Sequence, residues 1–432
     1  MGAPKNVLET KDVLQDKLGN IEIIEKKKVE AEPPIVKYAV PPEFDVIGVN
    51  TPKYDCCVQK VVDEMGQYIK EYNMQFVLGN DNSPADVITF FPKYVLYFRS
   101  GTVPGTNTGI LASLDGHIAF FRNLGIQVFY YLDDFLLGVN NNAPVKLMAN
   151  CDGIIVSTDA LKDQIILQGI NRPIYVLRTH MDLPTFDMFP PLVEAVDKER
   201  VNILFSSQGR VGITMFHKIV ERMHQNVDKY KNVNFICLSH AVANIRSVVN
   251  KFRGIKKTYL EYMPLTFYYR LAAAVDMIIA PGDEGDLDYM LEKAIQRPWL
   301  DSKSCHKYTL AGAASIPCIA SPMADYKDAI KHGETGYIAN DLDEWMTYLD
   351  KLLEDKEFRI QMGRAAKRDI NENWGIYKRT EELVQILRGE WYAQGRYATS
   401  KKQITDEPVK AAVEYKVEVV DGTKSDGVYS LS

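Results

Sequence analysis

The chain has no run of eighteen apolar residues, which leaves no candidate for a helical membrane span. Its six cysteines, two of them adjacent at Cys56 and Cys57, fit neither a metal spacing nor a disulfide framework. They read as reduced and buried, or incidental. Positive charge is also short. The 51 Lys and Arg against 57 Asp and Glu give a net charge of −6, which argues against holding nucleic acid by an overall field, though not against a local basic groove. The opening Met1-Gly-Ala-Pro-Lys-Asn6 lacks the apolar core of a secretory signal, so a cytoplasmic protein is expected.

What is present is ordinary for a globular protein: 46% hydrophobic and 25% charged residues, in a chain of 432 residues that can bury two cores. Residues 1–43 are rich in Lys and Glu with Pro33-Pro34 and Pro41-Pro42, and read as a loosely ordered arm. Residues 400–432 form a polar tail in which Val413–Val420 alternates like an edge strand. Between them, strand-like runs start at Phe44, Val87, Tyr94, Val128, Gly153 and Ile174, with helical stretches at 56–72 and 114–124. The alternation restarts at Val201, Val233, Asp276 and Ile316 after a hydrophilic linker at 186–200. Strands separated by helices predict parallel sheets covered on both faces.

The most informative segment is Lys303-Ser-Cys-His-Lys-Tyr-Thr-Leu-Ala-Gly-Ala-Ala-Ser-Ile-Pro-Cys-Ile-Ala-Ser321. A basic, polar loop opens a helix of small residues, Ala311 to Ala314, which allow close approach to a sheet, and a short buried strand follows. Unpaired N–H groups at that helix start, beside Lys303, Ser304 and Lys307, form an anion site. A second strand-to-helix turn, Phe205-Ser-Ser-Gln-Gly-Arg-Val-Gly212, offers Gly209 and Gly212 for close backbone approach and Arg210 for a two-pronged phosphate contact. A purely structural turn weighs evenly against that role. Glu284 and Glu292 are a carboxylate pair, and Asp133 and Asp134 end a strand at the edge where ligands of open α/β sheets collect. The bland readings are a solvated helix for the glutamates and a cap or turn for one aspartate. Arg99 fits the cleft or the surface equally, and lone histidines such as His117 and His180 are more often structural than catalytic. Asp133 and Asp134 lack the Asp-x-Asp spacing and second ligand set of a divalent-metal site.

In their order, these segments resemble the donor-binding half of group 1 (family 4-like) glycosyltransferases, over roughly residues 85–390 and most strongly 300–346. The resemblance implies an α/β fold of two doubly wound Rossmann-like domains facing across a cleft, the glycosyltransferase B architecture. Residues 44–185 would form the acceptor domain, 201–360 the nucleotide-sugar donor domain, and 361–399 helices crossing back. It further implies donor contacts from Ser206, Gly209, Arg210, Tyr262, Glu292, Lys303, Ser304 and Lys307, with Asp133, Asp134 and Glu284 as catalytic candidates. The implied activity is metal-independent sugar transfer with retention, with no cofactor beyond the nucleotide-diphosphate sugar as co-substrate. A glycan, a protein or a modified nucleic acid remains open as acceptor. One departure stands out. In the register that aligns 303–317 with the family, Leu310 takes the place of the second Glu and Ser315 that of a Gly, so either Glu292 serves the ribose or that carboxylate is missing. A degenerate binding or structural protein and an enzyme glycosylating modified DNA bases are the rival readings.

Overall fold

The computed structural model describes residues 14–15, 21–22, 44–51, 56–80, 90–100, 108–134, 143–207, 211–261, 264–283, 286 and 293–391. The chain forms two compact units, Met1–Pro42 and Glu43–Ser432. In the first, Leu14–Gln15 pairs antiparallel with Ile21–Glu22. The second holds two six-stranded sheets.

The first sheet contains β1 (Asp45–Thr51), β2 (Met74–Asn80), β3 (Tyr94–Phe98), β4 (Gln127–Leu132), β5 (Gly153–Val156) and β6 (Ile174–Val176). All pairs are parallel, in the order β2-β1-β3-β4-β5-β6. The second contains β7 (Val201–Ser206), β8 (Val233–Ser239), β9 (Lys256–Glu261), β10 (Met277–Ala280), β11 (Cys318–Ala320) and β12 (Gly336–Ile338). Its order, β9-β8-β7-β10-β11-β12, is again all parallel. Central strands such as Tyr94-Val-Leu-Tyr-Phe98 are buried at every residue, because helices cover both faces and leave no side for polar alternation.

Three strands differ from the sequence expectation. Met74–Asn80 is a strand absent from the expectation, which instead placed one in the run starting at Val87. Of that run, Val87–Thr89 lie outside the described residues, and Phe90 and Phe91 are not in a strand. Lys256–Glu261 is an edge strand, half-buried at four positions and exposed at both ends, so it lacks the apolar run that marks a central one. Gly336–Ile338 reads as part of a glycine turn and is only three residues long. The alternating run Val413–Val420 lies outside the described residues.

Each sheet has a core on each face. Ile203, Phe205 and Phe216 belong to one face of the second sheet, and Leu204, Ile278 and Leu310 to the other. The helix Lys356–Asn373 adds Ala366 and Ile370 to the second sheet's core, whereas Ile376–Leu387 adds Ile376, Leu383 and Leu387 to the first sheet's. The chain changes sheets at Trp374-Gly375, where the Met181 N–H donates to the Trp374 carbonyl at 2.9 Å. The small residues of the helix His306–Ala313 serve a closer neighbour than the sheet. A Cβ on Gly312 would lie 2.3 Å from Ile370 Cγ1, so the glycine permits the contact with Lys356–Asn373. Tyr308 strengthens that contact by donating its hydroxyl to Asp369 at 2.7 Å.

Candidate functional site

The carboxyl ends of the parallel strands carry the polar residues, and the two sheets bring these ends together. On the first sheet, Arg99 leaves β3 with φ of 53°, a left-handed conformation that is strained for a residue with a side chain. Its backbone N–H donates to the Tyr131 carbonyl at 2.9 Å. The guanidinium then reaches Asp133 at 2.9 Å and Asp134 at 3.6 Å, just beyond β4. Asp134 also meets Lys303 of the second half at 2.5 Å, and that ammonium lies 3.9 Å from the centre of the Trp299 ring. Both expected catalytic aspartates are therefore ion-paired.

On the second sheet the strand order reverses between β7 and β10, the place where ligands gather in open α/β folds. Gly212 lies there with φ of 80°, and a Cβ on it would fall 2.3 Å from the Pro281 carbonyl oxygen. Only glycine fits that approach. The helix Ile213–His224 starts beside it, but its first N–H groups are not aimed at an open anion site. Gly212 N–H donates to Asp286 at 2.5 Å and Thr214 N–H at 2.9 Å, so a carboxylate holds this helix end. Lys218, on the same helix, pairs with Asp283 at 2.7 Å.

The loop 303–305 and the helix His306–Ala313 form the other half of this edge. Cys305 N–H donates to the buried Asp325 at 2.7 Å. Lys307 is partly buried, and burial pushes its pKa down to about 8, with nearby Lys303 adding to the depression and Asp286 opposing it. Among the described residues Lys307 makes no ion pair. Ser206 shares a hydrogen bond of 2.7 Å with the Tyr268 hydroxyl, and the Tyr268 ring lies 6.3 Å from that of His306. The neighbouring Ser207 hydroxyl is buried and has no partner among the described residues.

The structure thus sets Asp134 against Lys303, with Ser304 and Lys307 next along the chain, and ties Ser206 to Tyr268 beside His306. Gly209, Arg210, Tyr262, Glu284 and Glu292 lie outside the described residues. Leu310, at the position that the aligned register gives to a glutamate, is fully buried in the core, so the helix His306–Ala313 offers no carboxylate there. Among the described residues no group of three or more His, Cys, Asp or Glu side chains is placed to hold a metal ion. No described helix is long and apolar enough to cross a membrane.

Sequence reasoning missed a buried polar cluster that joins the two halves. Glu64 accepts from the Tyr269 hydroxyl at 2.5 Å and lies 2.9 Å from His180 Nε2, while Lys60 donates to the His180 carbonyl at 2.8 Å. Burial works to raise the Glu64 pKa, but His180, Lys60 and Tyr269 outweigh it and hold the carboxyl below its ordinary value. Burial lowers the His180 pKa, so the pair is best described as a charged Glu64 against a neutral imidazole. His306, with Nδ1 buried and without a partner among the described residues, is likewise held neutral by burial. Glu64 falls within a π-helical turn, Lys60–Glu64, inside the helical stretch 56–72. That local widening was the one structural mark of the cluster, and periodicity does not reveal it.

No protein-family model matches the chain, and no curated protein matches it in sequence. Solved structures do match. Sucrose-phosphate synthase from Thermosynechococcus elongatus has a TM-score of 0.57 at 10% identity, over 81% of this chain and 100% of that one. Anabaena HepE in complex with UDP and glucose has a TM-score of 0.58 at 10% identity, over 80% and 100%. A glycosyltransferase from Rickettsia africae has a TM-score of 0.56 at 11% identity, over 81% and 99%. The chain has the glycosyltransferase B fold. A shared fold does not carry a shared activity, so what this one does is argued from its own site.

Proposed function

We infer that this chain transfers a sugar from a nucleotide-diphosphate sugar to an acceptor hydroxyl, binding the donor at the carboxyl edge of the second sheet. The observation that carries the reading is the grouping of Lys303, Ser304 and Lys307 at the start of the helix His306–Ala313, opposite Asp134 of the other half. The HepE match, a protein bound to UDP and glucose, supports a donor of that chemistry. In the reaction the bond between the anomeric carbon and the phosphate oxygen breaks, and the acceptor oxygen bonds to that carbon. The acceptor proton leaves to the departing diphosphate or to solvent. Negative charge grows on the diphosphate, and Lys307, held in the first turn of the helix His306–Ala313, stabilises it, joined by Lys303 when that ammonium leaves Asp134. These cations supply the charge stabilisation that a divalent metal supplies elsewhere. Retention of configuration belongs to the same reading.

A second reading has its own support: Leu310 lies buried where the family register has a carboxylate, and Asp286 holds the helix end at Gly212. On that view the fold binds a partner without catalysis. Incubation with a panel of nucleotide sugars separates the two. Release of nucleoside diphosphate from one of them, lost in Lys307→Ala, supports transfer. Binding of a nucleotide sugar without release under any acceptor condition supports the binder.

A further inference from the structure

Three successive strand ends of the first sheet hold the segment 302–305 of the second half, at Ser302, at Lys303 and, through Asp325, at Cys305. Beyond β4, Asp134 pairs with Lys303. Beyond β5, the Thr158 hydroxyl donates to the Ser302 carbonyl at 3.4 Å. Beyond β6, Arg178 Nη1 donates to Asp325 Oδ1 at 2.6 Å, and the other oxygen of Asp325 accepts the Cys305 N–H. Ser304 lies between the gripped positions.

We propose that Arg178 is a positioning residue for the donor loop, orienting Lys303–Lys307 across the cleft through the carboxylate of Asp325. The proposal rests on the donor-site reading above. Its geometry is that of a two-sided clamp. Asp325 is 1% exposed at its side chain, so its charge requires a fixed partner, and the guanidinium is that partner. Burial pushes the Asp325 pKa up, and Arg178 opposes the shift. Arg178 is itself anchored on its own side, since Nη2 donates to Asp159 at 2.7 Å and Lys162 holds the other oxygen of Asp159 at 2.8 Å. Asp328 adds a longer contact at 3.4 Å. The planar fork spans Asp159 and Asp325 at once, which a lysine ammonium cannot do. Movement of the first half is thereby transmitted to the N–H of the residue that starts the helix carrying Lys307.

The test is amide hydrogen exchange on the full chain, comparing wild type with Arg178→Met, Arg178→Lys and Arg178→Met/Asp325→Asn. Exchange over 303–309 is expected to accelerate about tenfold in Arg178→Met, within the usual range of coupling between sites. Arg178→Lys is expected to fall between it and wild type. The double variant removes the stranded buried carboxylate, so it keeps the second sheet folded while the loop still exchanges faster. Unchanged exchange over 303–309, or equal acceleration across the helix Ile213–His224 in the double variant, overturns the proposal. Titration with UDP separates this from the donor reading. A wild type that binds UDP while Arg178→Met binds it equally well removes the positioning role. A wild type that binds no UDP counts against the donor site, and the exchange result still decides the clamp.

Discussion

The two sheet edges that face each other have unlike chemistry. On the first, the charges are already paired, some within that half (Arg99 with Asp133, Arg178 with Asp159, Glu64 with His180) and some across to the second (Asp134 with Lys303, Arg178 with Asp325). The second carries Ser304 and the partly buried Lys307, an ammonium with no ion pair among the described residues. A half whose charges are already paired acts as a scaffold, and the half that holds the unpaired Lys307 is the one that can take an anion. Substitutions among the paired charges should act on stability and loop order, and those at Lys307 on binding.

The largest effect is expected at Lys307. Lys307→Ala should lower turnover or affinity for a nucleotide diphosphate by about 100-fold, as for other charge-stabilising donors. Its melting temperature should stay near that of wild type, because burial already disfavours this charge. A melting shift with intact binding would move Lys307 to the scaffold. Next comes the buried cluster. Glu64→Gln should cost about 2 kcal/mol in urea denaturation, the usual worth of hydrogen bonds to a charged group, and should leave UDP affinity nearly untouched.

A pH series sharpens the contrast. Lys307 binds an anion only when protonated, and its pKa lies at about 8, so affinity should decline as pH rises through that value. Between about pH 7 and about pH 9 the protonated fraction drops about tenfold, and UDP affinity should follow it. Lys307→Arg, charged throughout, should flatten the profile. The smallest effect is expected at Asp286→Asn. Loss of that charge from the start of Ile213–His224 should cost about 0.5 kcal/mol of stability, while UDP affinity rises because a competing carboxylate is gone.

Much of this fold was legible because its central strands are unbroken apolar runs, as at Tyr94–Phe98 and Met277–Ala280. Edge and short strands were not. Lys256–Glu261 is polar on the solvent side, and three residues at Gly336–Ile338 carry no period. The grouping of Lys303, Ser304 and Lys307 could be read from local order, since all three sit within one turn of a helix start. Partners distant in sequence could not be. Asp134 is 169 residues from Lys303, Glu64 is 205 from Tyr269, and Asp325 is 147 from Arg178. A single sequence contains nothing that links such pairs, so Asp133 and Asp134 looked like free carboxylates and His180 like an isolated ring.

The central claim is that the second edge binds the donor through Lys307 and the start of His306–Ala313. A crystal structure of the full chain with UDP tests it most directly. The account predicts the diphosphate within hydrogen-bond distance of Lys307 Nζ and Ser304, with Arg99 still paired to Asp133. Phosphates held instead by Arg99 or Arg178 on the first edge, or UDP bound away from the cleft, would contradict it.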